Sequence, residues 1–279
     1  MLDSKGVRVV LALLKYLFLA LIVIISLGPI LWMLLSSFKT NAEILGGVGF
    51  FTGSLSIKNY ITAVTMSPIA FFYRNSILVS LGTILLTLVV VGMSAYAVTR
   101  FEFRYKKLII GVISLSLLIP GAALMQPLYT TINSLGMTNS LLGLILVYAG
   151  FALPTSFYIL SSYFLTVPKE MEESAYLDGA SFVATFTKII VPISKPGFAT
   201  ASIITFLNAW NEFQFALILT TGTKARTLPM TLFYFNSQFS SDYGAMFAGT
   251  ILVIVPSIAI YLLLQEQVVA GLSAGAIKG

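Results

Sequence analysis

Long apolar stretches separated by short polar segments make up most of this sequence. Six of the stretches are long enough to cross a bilayer as α-helices, since a spanning helix needs about 20 predominantly apolar residues. Their length, and the Gly and Pro residues inside them, favour helices over the short alternating strands of a membrane barrel. The pattern therefore predicts an all-α integral membrane protein whose six transmembrane helices form a single domain over residues 1–279. These helices cover about residues 9–35, 71–98, 108–129, 140–165, 197–220 and 244–264.

The composition agrees with a membrane protein and removes several classes of function. Of the 279 residues, 58% are hydrophobic and 9% are charged, whereas about a quarter of the residues of a soluble domain are charged. Cysteine and histidine are both absent, which excludes disulfides, thiolate chemistry, imidazole metal sites and the commonest general acid or base. The common thiolate and imidazole metal sites are thus removed, and we expect no metal site and, as a transport protein, no catalytic residue in this chain.

The basic residues indicate the orientation of the chain, because cytoplasmic loops of membrane proteins carry an excess of Lys and Arg. Eleven of the sixteen share one side if both termini, residues 99–107 and a polar loop at residues 166–196 lie there. The eleven are Lys5, Arg8, Lys15, Arg100, Arg104, Lys106, Lys107, Lys169, Lys188, Lys195 and Lys278. We therefore predict a multi-pass protein of the cytoplasmic (inner) membrane with both termini cytoplasmic. Because these charges sit beside apolar spans, they suit anionic lipid head groups of the bilayer, and no nucleic-acid partner is expected.

The polar loop, residues 166–196, interrupts the apolar pattern between the fourth and fifth spans. Thr166 is predicted to cap a short surface helix from about Pro168 to Leu177, because proline is tolerated in a first turn, where its missing N–H has no partner anyway. The early acids of this helix are favoured by the positive end of the helix dipole. Gly179 then permits a sharp turn, and a second segment, about Ser181 to Val191, returns to the membrane. On these grounds alone the polar loop is either a docking element or an interfacial linker without a partner.

The spacing within the polar loop resembles a known family motif. Glu173-Ser174-Ala175 is followed by three residues, Gly179, nine residues and then the run IIVP at 189–192. This resembles the EAA loop of ABC importer permeases, whose pattern is Glu-Ala-Ala, three residues, Gly, nine residues and Ile-x-Leu-Pro. The sequence departs from that pattern by Ser for Ala at 174 and by Val for Leu at 191. Both changes are small, so the polar loop is expected to be a cytoplasmic coupling-helix loop.

Three further pieces resemble one branch of that family, the maltose-type carbohydrate permeases. They are the run DGA at 178–180, the run AWNEF at 209–213 and the tail GLSAGAIKG at 271–279. The tail is similar to the ending of the second, shorter membrane subunit of the maltose system. The resemblance therefore extends over essentially the whole chain.

The resemblance implies a heteromeric importer of a sugar or oligosaccharide. In such a complex a second membrane permease subunit completes the pathway, two cytoplasmic ATPase subunits drive it, and an extracytoplasmic solute-binding protein delivers the solute. The chain contains no Walker-type phosphate loop, so it is expected to bind no cofactor itself, and ATP and Mg²⁺ belong to the partner ATPase. It is a transport subunit and not an enzyme.

In that family the Glu of the loop meets basic residues in a groove of the ATPase, which makes Glu173 the expected contact. Glu172 and Asp178 are expected to assist it. Closure of the ATPase dimer then moves the loop and switches the pathway between inward-facing and outward-facing states. The full set of expected coupling residues is Glu172, Glu173, Ser174, Ala175, Asp178, Gly179, Ala180, Phe186 and Pro192.

The fifth span carries the second group of candidate residues. Glu212 is the only acid well inside a predicted span, and an ionisable group there marks a functional candidate. Asn208, Asn211 and Glu212 fall at i, i+3 and i+4 and form one polar stripe, with Gln214 offset from it. This stripe is expected either to hydrogen-bond sugar hydroxyls or to join the two membrane subunits through interhelical hydrogen bonds. Trp210 can stack on a sugar ring only if it also points into the pathway.

Two other functions stay open at this point. A permease of the same machinery can carry a non-neutral solute, such as an anionic oligosaccharide, a glycerophosphodiester or a polyamine. An ion-driven secondary carrier can use Glu212 as its proton site. The polar loop speaks against that carrier, because a proton-driven protein does not need an element that docks an ATPase.

Overall fold

The computed structural model describes residues 4–47, 49, 55–235 and 242–276, and this part of the chain is helical without a β-strand. The prediction of an all-α protein is confirmed. Residues 277–279, the end of the tail that resembles a maltose-system permease, lie outside the described part. In chain order the α-helices are α1 (Ser4–Ser36), α2 (Asn41–Leu45), α3 (Lys58–Met66), α4 (Ile69–Arg100), α5 (Lys106–Ser116), α6 (Met125–Ser134), α7 (Leu141–Thr166), α8 (Glu170–Leu177), α9 (Phe182–Thr185), α10 (Val191–Ile193), α11 (Lys195–Asn211), α12 (Gln214–Leu219) and α13 (Tyr243–Ala276).

Four helices are long and apolar enough to cross a membrane, namely α1 from Gly6, α4, α7 and α13 up to Glu266. Two pairs of helices pass the same test only if each pair counts as one bent span. Lys106–Ser116 and Gly121–Ser134 meet at 99°, and Phe182–Ile193 and Lys195–Asn211 meet at 78°. The described residues therefore contain four to six candidate spans, and the count of six stays a prediction.

The first bend follows from Pro120. Helix α5 ends at Ser116, and a 3₁₀ turn, Gly121–Leu124, leads into α6. Pro120 itself is extended, with φ −68° and ψ 130°. A proline has no N–H to continue the helical hydrogen bonds, and it disfavours a helical conformation of the preceding residue. The predicted third span is therefore interrupted near its middle.

Contacts divide the chain into two compact units. The first unit contains Met1–Ser67 and Leu232–Leu252. Helix α1 is apolar along its length, yet none of its most hydrophobic 18-residue window is buried within the chain. The buried core of this unit consists of Ala63, Phe235, Ala245 and Ala248.

The second unit contains Pro68–Thr231 and Val253–Gly279, and α4, α7 and α11 pack together in it. Glycines bring these helices close. A Cβ atom on Gly82 would lie 2.6 Å from the side chain of Ile145, and one on Gly197 would lie 2.6 Å from the ring of Tyr163. Small residues at such contacts are typical of packed membrane helices. One buried cluster of this unit surrounds Tyr96 and the other surrounds Tyr148.

The polar loop forms a short helix and a turn, but it begins differently from the prediction. Helix α8 starts at Glu170, and no side chain caps it. Helix α7 continues through Thr166, whose hydroxyl donates to Tyr163 O (2.7 Å). The predicted cap at Thr166 was wrong because this hydroxyl bonds the preceding turn of its own helix. Ser181 does cap the second segment, which includes a π-helical turn at Phe186–Ile190.

Candidate functional site

Helix α8 has a buried side and an exposed side. Glu172 and Ala175 are each 6% exposed, and residues three positions apart share one face of a helix. Glu173, Ser174 and Asp178 are exposed. Of the expected coupling residues on α8 and at its end, three therefore face away from the chain and two face into it.

The C-terminus of α8 is closed by a glycine. Gly179 has φ +82°, a conformation that costs other residues energy because of their Cβ atom. Its N–H donates to Tyr176 O (3.0 Å), and Ala180 N–H donates to Ala175 O (2.9 Å). This is the hydrogen-bond pattern of a Schellman motif. Gly179 and Ala180 thus end α8 and turn the chain back towards the membrane helices.

Glu172 is held by the last turns of α4. Its Oε1 lies 2.5 Å from Arg100 Nε, and the side chains of the two residues are 8% and 6% exposed. Tyr96 donates its hydroxyl to Glu172 Oε2 (2.7 Å). Arg100 Nη2 also donates to Val167 O (2.8 Å), in the segment between α7 and α8. The buried carboxylate is therefore paired with a charge from a helix more than 70 residues earlier.

An aromatic cluster surrounds the ring of Tyr96, whose hydroxyl donates to Glu172 of this ion pair. The ring of Tyr96 lies 5.8 Å from Phe164, 5.3 Å from Phe182 and 5.1 Å from Phe186, measured between centroids. Phe186, one of the expected coupling residues, thus packs against α4 from the π-helical turn. Pro192, another of them, is exposed. The cluster joins the second segment of the polar loop, together with the end of α7, to α4.

Glu212 lies at a break in the predicted fifth span. Helix α11 ends one residue before it, and α12 begins two residues after it. Its carboxylate accepts hydrogen bonds from Phe215 N (2.7 Å), from Ala216 N (3.0 Å) and from the Tyr148 hydroxyl (2.6 Å). A carboxylate in this position satisfies free N–H groups of a helix N-terminus and is favoured by the helix dipole. Glu212 is thus a helix cap.

Asn211 of the polar stripe and its neighbour Trp210 form hydrogen bonds within the chain. Asn211 Nδ2 donates to Leu207 O (2.8 Å), and its Oδ1 accepts from the Ser257 hydroxyl (3.2 Å). Trp210 is 3% exposed, and its indole N–H donates to Val253 O (3.1 Å). Trp210 is therefore packed inside this chain and presents no free face to a sugar ring.

Asn208 of the stripe, and Gln214 offset from it, are exposed, as Asn211 also is. Asn208 and Glu212 line a cavity of about 150 Å³, together with Tyr148 and Phe151, whereas Gln214 is not part of it. Typical ligand pockets have about 300–1,000 Å³. This cavity is too small to enclose a disaccharide.

Three residues of these two sites were not singled out by the sequence. Arg100 was assigned to topology, and Tyr96 and Tyr148 lie inside apolar stretches. A weak signal exists for the first two, since Tyr96 and Arg100 lie at i and i+4 in the last turns of a span and share one helix face. Tyr148 carries no comparable signal, because its partner Glu212 is 64 residues away.

The chain is similar to membrane subunits of known transport systems. Residues 88–269 match the family of binding-protein-dependent transport system inner membrane components. The chain is 35% identical to the trehalose/maltose transport system permease protein MalG of Thermococcus litoralis, over 93% of this chain and 94% of that protein. It is 32% identical to the sulfoquinovosyl glycerol transport system permease protein SmoH of Agrobacterium fabrum, over 95% of this chain and 94% of that protein. A bacterial ABC transporter involved in the import of the acidic polysaccharide alginate shares the fold, with a TM-score of 0.82 at 20% identity over 95% of this chain and 99% of that one.

Proposed function

The chain belongs to the family of binding-protein-dependent transport system inner membrane components, and we propose that it forms half of the pathway of an ATP-driven importer of sugars or oligosaccharides. The observation that carries this proposal is end-to-end similarity to a trehalose/maltose permease, at 35% identity over 93% of the chain. The chain supplies the transport pathway and no catalytic group.

The rest of the complex supplies what this chain lacks. A second membrane permease subunit provides the other wall of the pathway, and an extracytoplasmic binding protein delivers the solute. Two cytoplasmic ATPase subunits bind ATP and Mg²⁺. Both termini and α8 lie on the cytoplasmic side in this arrangement, as the distribution of Lys and Arg indicates.

The exposed side of α8 is the proposed docking surface for an ATPase subunit. Glu173, Ser174 and Asp178 are exposed there. In the part of the chain that the structure describes, neither acid is in an ion pair. Their charges are therefore available to basic residues of a partner, and Glu173 is the central contact.

A non-neutral solute is the second candidate, because the chain is also 32% identical to a permease protein of a sulfoquinovosyl glycerol transport system. A proton-driven carrier is less well supported, since Glu212 is held as a helix cap by two backbone N–H groups and one hydroxyl. In either importer, Asn208, Asn211 and Gln214 are the exposed side chains near Glu212 that can meet the solute.

Uptake into proteoliposomes tests the proposal. The complete complex is reconstituted with its binding protein and offered radiolabelled trehalose, maltose or sulfoquinovosyl glycerol. We expect uptake of at least one neutral disaccharide that requires ATP and is inhibited by vanadate, and we expect Glu173→Lys to abolish it. Uptake without ATP that a protonophore collapses would contradict the importer, and uptake of sulfoquinovosyl glycerol alone would favour the second candidate.

A further inference from the structure

We propose that Tyr96, Arg100 and Glu172, here called the α4–α8 clamp, fix the orientation of α8 on α4 and carry its movement into the membrane. This inference rests on the proposed function, because it gives these residues a positioning role in coupling to the ATPase. Glu172 was expected to help contact the ATPase. In the clamp it faces α4 instead and acts through its neighbour Glu173.

The clamp determines which way Glu173 points. Successive residues of an α-helix are rotated by about 100° around its axis. With Glu172 buried against Arg100, Glu173 is turned out of the chain and is exposed. If α8 rotated about its axis by one residue, Glu173 would turn towards the present position of Glu172, against α4, and would no longer be exposed. The ion pair therefore sets the register of the docking surface.

Few other contacts hold α8 in this orientation. Its only other buried side chain is Ala175, which is small and has no polar group. The side chain of Tyr176 also interacts with that of Tyr96 and adds to the same contact between α8 and α4. Apart from their salt bridge, Arg100 Nε and Glu172 Oε1 have no hydrogen-bond partner within the described residues. Removing either side chain thus leaves its partner as a buried charge without a counter-charge.

The clamp also connects α8 to a long membrane helix. Tyr96 and Arg100 lie in the last turns of α4, a helix of 32 residues. Arg100 holds Val167 O in the segment that enters α8, and Tyr96 packs on Phe182 and Phe186 in the segment that leaves it. All three parts of the polar loop therefore meet at the end of α4. A rigid-body displacement of α8 is passed to α4 through these contacts.

The test measures uptake per ATP hydrolysed by the complete complex in proteoliposomes, using the best transported disaccharide of the panel above. The variant is Glu172→Gln, and Glu170→Gln on the exposed part of the same helix is the matched control. We expect Glu172→Gln to lower uptake per ATP about tenfold, within the range of typical coupling between sites. Co-purified ATPase and ATP hydrolysis stay within about twofold of the wild type, since Glu173 is intact. A merely structural role lowers the amount of complex and both rates together, and leaves their ratio unchanged.

Tyr96→Phe keeps the test decisive if Glu172→Gln prevents assembly, because it removes one hydroxyl and leaves the aromatic packing. We expect it to lower uptake per ATP about fivefold, at the low end of the same range. A ratio equal to the wild-type value in every variant that assembles would overturn the clamp. Glu173→Lys separates this failure from that of the proposed function. If Glu173→Lys uncouples transport and the clamp variants do not, only the clamp is wrong, whereas normal transport by Glu173→Lys removes the docking surface itself.

Discussion

Glu172 and Glu212 are carboxylates inside this protein, and each accepts a hydrogen bond from a tyrosine hydroxyl. The Tyr96 hydroxyl donates to Glu172 Oε2 (2.7 Å), and the Tyr148 hydroxyl donates to Glu212 Oε2 (2.6 Å). The remaining partners differ. Glu172 is paired with the guanidinium of Arg100, whereas Glu212 accepts backbone N–H groups three and four residues further along its own chain.

These different partners determine what each carboxylate can do. A helix cap restrains the start of the helix that it caps, and the energy involved is local. An ion pair between distant segments restrains two elements relative to each other. Glu212 therefore shapes one membrane helix, whereas Glu172 links the polar loop to α4. A buried acid in a membrane protein is informative only once its partners are known.

The largest effect is expected from breaking the ion pair. Arg100→Ala leaves Glu172 as an unpaired buried charge, which costs about 3–5 kcal/mol of unfolding free energy. The measurement is thermal unfolding of the purified complex in detergent, with Arg104→Ala as the control. Arg104 is exposed and only stacks on Tyr105, so its loss should cost about 0.5 kcal/mol. Equal melting temperatures of the two variants would remove the distinction between the carboxylates.

A smaller effect is expected from removing the helix cap. Glu212→Ala frees two N–H groups of α12 and the hydroxyl of Tyr148, which together cost about 2 kcal/mol. Gln214→Ala, two residues later and exposed, should change stability by about 0.5 kcal/mol or less. The same unfolding assay compares them. A loss in Glu212→Ala as large as that in Arg100→Ala would mean that the cap is more than local.

The smallest effect on stability is expected from removing the tyrosine hydroxyl that donates to Glu212. Tyr148→Phe removes one hydrogen bond to a carboxylate and should cost about 1.5 kcal/mol. In the Glu212→Ala background it should cost close to nothing, because the hydroxyl has already lost its partner. A double-mutant cycle should measure this difference as a coupling of about 1.5 kcal/mol. Additive losses would show that Tyr148 and Glu212 stabilise the protein independently.

Much of the fold followed from the sequence because a bilayer requires long apolar stretches. The helices α1, α4, α7 and α13 lie where continuous apolar runs lie. The breaks were harder to predict, because an apolar run does not reveal where backbone hydrogen bonding stops. The pair Pro120-Gly121 was a visible signal for one break. At the other, Glu212 looked like an isolated intramembrane acid, and its role as a cap appears only when the partner N–H groups are seen.

The candidate site was predictable in its motif and not in its contacts. The spacing from Glu173 to Gly179 identified the polar loop, and its acids follow the helix dipole. The side of α8 on which Glu172 lies depends on Arg100, which is 72 residues earlier. A single sequence carries no sign of that pairing. Trp210 was a conditional candidate, and its burial against Val253 O is likewise a property of the packed helices.

The central claim is that α8 presents Glu173 to the ATPase while its opposite side is held against the chain. Because the chain has no cysteine, single Glu173→Cys and Ala175→Cys variants can be compared by labelling inside-out vesicles with a membrane-impermeant maleimide. We predict rapid labelling at position 173, which slows when the ATPase subunits are bound. At position 175 we predict slow labelling with or without these subunits. If the ATPase slowed labelling at position 175 and left labelling at position 173 unchanged, the proposed orientation of α8 would be wrong.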